Sequence, residues 1–69
     1  MKRGDVLRKI RKAAKAQGVP LELFERTNHT GIQCGSIRTT IGRHSEISDL
    51  MAETIYKQLE PELGRMWWK

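Results

Sequence analysis

The chain has 69 residues, a formal net charge of +5 and a single cysteine. That length holds one domain with a small core and no deep cofactor cleft. One cysteine excludes an intramolecular disulfide and a multi-cysteine zinc site, and no stretch approaches the ~18 apolar residues of a membrane span.

Residues 3–17 are predicted as a helix. Val6, Leu7, Ile10, Ala13, Ala14 and Gln17 recur at i, i+3, i+4, i+7 and make one apolar stripe. Lys and Arg residues fill the other face. Gly18 suits the left-handed C-cap that stops a helix, and Pro20 keeps it from resuming.

Three strands are expected next. Residues 21–26 supply Leu21, Leu23 and Phe24 as the apolar content of the first, and Thr27-Asn28 is turn-like. Residues 30–34 and 37–41 follow, joined by Gly35-Ser36, a two-residue hairpin with glycine where positive φ is needed. That turn sets a register: Cys34 opposes Ile37, Ile32 opposes Thr39, and Thr30 opposes Ile41 on the more apolar face. Gln33 and Arg38, Gly31 and Thr40, and His29 and Gly42 pair on the opposite face. With helices covering the apolar side, His29 lies near an edge of the open side, together with Arg38 and Thr40. Cys34 faces inward as a small core residue.

A second helix is expected from Ser48, a favourable N-cap, with Asp49 complementing the dipole of the first turn. Ile47, Met51, Ile55 and Leu59 repeat every four residues beside Ala52 and Tyr56. Pro61 ends this helix at or before Glu60. It opens a last short turn carrying Leu63, Met66 and Trp67 on one face. The fold class is therefore α+β, in the order α-β-β-β-α with a C-terminal extension. The basic N-terminus has no apolar run after it, so no signal peptide is expected and the chain reads as cytoplasmic.

Charge is unevenly spread. Seven of the thirteen Lys and Arg residues lie within the first fifteen positions, and residues 1–20 carry +6, residues 21–44 +1 and residues 45–69 −2. Such a field draws a phosphate backbone, although a solubilising helix face has the same composition. The basic helix together with an isolated histidine makes RNA the leading substrate candidate.

Several segments resemble a known family. They are the opening Met1-Lys2-Arg3-Gly4-Asp5-Val6-Leu7-Arg8-Lys9-Ile10, the Asn28-His29 step into a strand, the run from Thr39 through Gly42-Arg43-His44 to Ile47, and the closing Ile55-Tyr56-Lys57-Gln58-Leu59. In this order and spacing, over residues 1–60 or so, they are similar to HicA toxins of HicA–HicB toxin–antitoxin pairs. The resemblance implies a fold like a double-stranded-RNA-binding domain, with helices on one face of a three-stranded antiparallel sheet. It implies an mRNA interferase that cuts without the ribosome, and a HicB-type antitoxin that covers its active site. The family's catalytic histidine corresponds to His29. Thr27-Asn28 stands where members usually carry two small residues, and Gly42 where a proline is often found.

RNA carries its own nucleophile, the 2′-OH. Cleavage needs a base for that proton, alignment on phosphorus and neutralisation of phosphate charge. Histidine titrates near neutrality and suits the first task; Arg or Lys suits the last. The products expected are a 2′,3′-cyclic phosphate and a 5′-OH. His29 is thus the candidate catalytic residue, and as a bare sequence feature it also reads as a hydrogen-bonding turn residue. Arg38 is the candidate charge-neutralising group, with Lys9 and Lys12 as contacts to the RNA backbone. His44 reads as a second acid/base, a phosphate contact or a polar loop residue, and Arg43 as a phosphate ligand or a solvated charge. Scattered carboxylates and distant histidines give no metal-ligand spacing, so neither metal nor cofactor is expected. Trp67 is expected to cap the core; Trp68 is open between capping, base stacking and a partner. Two further readings stand beside the nuclease: a non-catalytic RNA-binding module, and a degenerate toxin that only binds its antitoxin.

Overall fold

The computed structural model describes residues 1–69. Helix α1 spans Arg3–Gln17, strands β1, β2 and β3 span Leu21–Glu25, His29–Cys34 and Ile37–Gly42, helix α2 spans Asp49–Gln58, and a short α3 spans Glu60–Leu63. The strands form one antiparallel sheet in the order β1-β2-β3. This is the α-β-β-β-α arrangement expected, a small α+β globule with a short C-terminal helix. No helix is long and apolar enough to cross a membrane.

Local chemistry explains the element ends. Gly18 takes φ +69°, and the end of α1 is closed by its N–H on Lys15 and by the Val19 N–H on Ala14. Ser48 Oγ accepts the Met51 N–H at 3.1 Å and so caps α2. Gly35 has φ +58°, which is why the β2–β3 turn needs glycine, and a Cβ there would also push aside the end of the Glu62 side chain. The observed register is the one expected: Cys34 opposes Ile37, Ile32 Thr39, Thr30 Ile41, Gln33 Arg38, Gly31 Thr40 and His29 Gly42.

The helices cover one face of the sheet. Val6, Ile10 and Ala14 from α1 meet Ile32, Cys34 and Ile41 from the sheet, with Ala52, Ile55, Tyr56 and Leu59 closing the core from α2 and its end. Cys34 is fully buried, as expected of a core residue. Two expectations about apolar positions fail. Met51 is 52% exposed, because the buried stripe of α2 is Ala52, Ile55, Tyr56 and Leu59, at i, i+3, i+4 and i+7. Ile47 precedes the helix, so its four-residue spacing from Met51 carries no facial meaning. Met66 likewise leaves the face of Leu63: Gly64 ends α3 after four residues, and Met66 takes φ +53° and lies exposed.

The two tryptophans pack on α2. Trp67 Nε1 donates to the Tyr56 carbonyl at 2.8 Å, and its ring meets the Tyr56 ring edge-on at 5.0 Å. Trp68 stacks on the same ring at 5.9 Å. Both are half-buried against the core, so the two aromatics extend it rather than point into solvent.

Candidate active site on the open sheet face

The register that buries Thr30, Ile32 and Cys34 turns His29, Gly31 and Gln33 to the uncovered face. His29 begins β2 and is exposed. Across the ladder stands Gly42, whose missing side chain leaves the flank of the imidazole open. His44, two residues beyond Gly42, leans towards the same gap: a Cβ on Gly42 would lie 3.8 Å from His44 Cδ2.

His29 and Thr40 line two adjoining open cavities. One, of about 280 Å³, runs along the sheet and is lined by His29 with Phe24, Arg26, Gln33, Arg38 and Thr40 among others. The second, of about 420 Å³, lies towards α2 and is lined by His29 with Thr40, Gly42, His44, Ser48 and Met51 among others. The expected pairing of His29 with Arg38 on one face is therefore present, and His44 joins them from the other side.

Arg38 is held rather than loose. Its Nε donates to Gln33 Oε1 at 2.5 Å, and Gln33 Nε2 donates to the Gly35 carbonyl at 2.7 Å. This chain of bonds tethers an exposed guanidinium through its Nε, and its Nη groups make no hydrogen bond or ion pair within the protein. Arg43 is engaged otherwise. Its Nη1 donates to the Arg26 carbonyl at 2.8 Å and lies 3.4 Å from Glu25 Oε1. The Arg26 N–H in turn donates to the His29 carbonyl at 2.9 Å. Arg43 thus braces the Thr27-Asn28 turn from which His29 emerges.

Lys9 and Lys12 belong to another layer. They are exposed on α1, on the covered side of the sheet, and line neither cavity. The Lys9 ammonium lies 6.0 Å from the centre of the Tyr56 ring. Lys9 and Lys12 therefore do not share the open face with His29.

Sequence reasoning did not single out the network behind His29. Thr30 is the one buried polar side chain; its hydroxyl donates to Glu25 Oε1 at 2.8 Å and accepts from Arg3 Nη2. Arg3 Nε also donates to the Gly42 carbonyl at 3.0 Å, and Arg3 Nη2 lies 3.9 Å from Glu25. A signal existed, because a threonine on the core-facing side of a strand requires a partner for its hydroxyl. Phe24 and Arg26 were also missed as lining residues. Extending the strand parity to β1 puts Phe24 opposite Gly31 on the open face.

No three His, Cys, Asp or Glu side chains gather closely enough to hold a metal ion. No protein-family model matches the chain, and searches among curated proteins and among solved structures likewise return no match.

Proposed function

We propose that this chain is a HicA-like toxin, a small endoribonuclease that cuts mRNA independently of the ribosome and of metal ions. The observation that carries the reading is His29, an exposed imidazole on the uncovered sheet face, flanked by a tethered guanidinium on one side and a second imidazole on the other. The resemblance of the N-terminal, Asn28-His29 and Gly42-Arg43-His44 segments to HicA toxins supports it.

In this mechanism His29 takes the proton of the ribose 2′-OH as that oxygen attacks phosphorus. Arg38 offsets the charge on the phosphate oxygens. The 5′ oxygen leaves with a proton that His44 carries into the step, so His29 ends protonated and His44 neutral, and the products are a 2′,3′-cyclic phosphate and a 5′-OH. A positioned base of this kind contributes ~10²–10⁴-fold. A HicB-type antitoxin is the proposed partner, covering the open face when the toxin is held inactive; the cytoplasm is the proposed compartment.

Incubating the purified protein with RNA in EDTA tests this. Cleavage by the parent and none by His29→Ala is the expected result. Intact RNA with both proteins favours the competing readings, an RNA-binding module or a partner-binding protein without activity.

A further inference from the structure

Phe24 differs from the other large apolar side chains left exposed, because it lies within the sheet's uncovered face. It is 40% exposed and pairs across the ladder with Gly31. A Cβ on Gly31 would stand 3.6 Å from Phe24 Cβ and 3.9 Å from Cδ2, so the ring inclines over a residue with no side chain. Covering the glycine backbone accounts for one side of the ring. The core makes no use of Phe24; Leu21 and Leu23 of the same strand supply the packing.

The surroundings of the ring are those of an anion. It lines the cavity of about 280 Å³ together with His29, Arg26 and Arg38. Neither arginine side chain is paired with a carboxylate. Glu22 is the one acidic residue of β1 on this face, opposite Gln33. An aromatic flanked by unpaired guanidinium groups matches a base joined to phosphates.

We propose that Phe24 is a stacking platform for a nucleobase of single-stranded RNA, and that its cavity is the nucleoside subsite beside the point of cleavage. The proposal rests on the ribonuclease reading for the identity of the polymer. Stacking is indifferent to sequence, since every base has a π face. It does require the base to be unpaired, because a duplex hides its base faces in its own stack. The open face therefore selects single-stranded stretches, whatever α1 does with the backbone.

The test uses short 2′-O-methyl oligonucleotides, which cannot be cut, so binding is read apart from cleavage. One carries bases and the other is abasic on the same backbone. Fluorescence anisotropy is measured with the parent, Phe24→Ala and Phe24→Trp, and thermal melting followed by circular dichroism checks each fold. The parent should prefer the strand with bases, and Phe24→Ala should lose about 5- to 150-fold of that preference while binding the abasic strand as the parent does. Phe24→Trp should retain it, and a duplex of the same sequence should bind more weakly than the single strand. An unchanged preference in Phe24→Ala overturns the proposal. So does a parent that binds neither strand, which would leave the face to a protein partner. A parent with Phe24-dependent binding that leaves natural RNA uncut supports the subsite and refutes the nuclease reading alone.

Discussion

Arg3 Nε donates to the carbonyl oxygen of Gly42 at 3.0 Å, and Gly42 is the residue that faces His29 across the β2–β3 ladder. The same guanidinium reaches the hydroxyl of Thr30, the neighbour of His29 in sequence. One arginine of the basic segment is thus spent inside the fold, tying the start of α1 to both strands that carry the candidate site. Arg8, bonded to Asp5 at 2.9 Å, is partly neutralised on the surface of α1.

Thr30→Val should therefore lower both stability and activity. The valine fills the same volume but leaves Arg3 and Glu25 without the hydroxyl between them, a loss of about 1–3 kcal/mol in denaturant unfolding. RNA cleavage should fall mainly in kcat, since His29 loses its anchoring rather than its contact with substrate. Thr30→Ser keeps the hydroxyl and should keep most of kcat, an outcome that a simple packing role would not produce.

Arg38 and the lysines of α1 should separate kinetically. Arg38→Ala removes a tethered donor from the phosphate and should reduce kcat by about 10²-fold, as loss of a preorganised donor does. Lys9→Ala and Lys12→Ala should leave kcat unchanged and raise KM. Their losses should shrink as salt rises, with each lost phosphate contact flattening the salt dependence of binding by about one unit of slope. Equal kcat losses from all three variants would refute the two-layer division.

The β2–β3 turn makes a stability prediction of its own. Gly35→Ala meets both a positive φ and the Glu62 carboxylate. It should destabilise by more than ~1 kcal/mol, where a compatible glycine-to-alanine change would stabilise. Pairing it with Glu62→Ala, read by thermal melting, should recover the overlap part and leave the backbone part.

Alkaline pH should loosen the core. Burial, and secondarily the charge of Glu62, pushes the Cys34 thiol up. Burial, and secondarily Asp5, pushes the Tyr56 phenol up, and its Oη is buried with no hydrogen-bond partner. Both groups are neutral when protonated, so a raised folded value favours the folded state while they stay protonated. That contribution is whole below the unfolded values, about 8.5 for Cys and 10 for Tyr, and is lost as pH climbs through the folded ones. Denaturant midpoints should hold from neutrality to about pH 8 and then decline, and Cys34→Ala should blunt the first part of the decline.

Most of the fold was legible because its signals are local. Gly18, Gly35, Ser48 and Pro61 mark ends by backbone geometry, and a two-residue turn turns strand parity into arithmetic that fixed the faces of His29 and Arg38. Met51 and Met66 were misplaced where a spacing was carried past a helix boundary, which sequence periodicity does not mark sharply. The site was legible only in part. Arg43 reads in sequence as a phosphate ligand or a solvated charge, and the contacts of its Nη1 with the Arg26 carbonyl and Glu25 are not visible there. The bridge from Arg3 to Thr30 and Gly42 joins residues far apart in the chain; a core-facing threonine announces that its hydroxyl needs a partner, but not that the partner is Arg3.

The decisive measurement for His29 is cleavage of a defined single-stranded RNA, with and without one 2′-deoxy substitution, in EDTA and with the new ends identified. The parent should leave 2′,3′-cyclic phosphate ends and spare the deoxy position, and His29→Ala should cut nowhere. Scission through the deoxy position, or undiminished cleavage by His29→Ala, would contradict this mechanism.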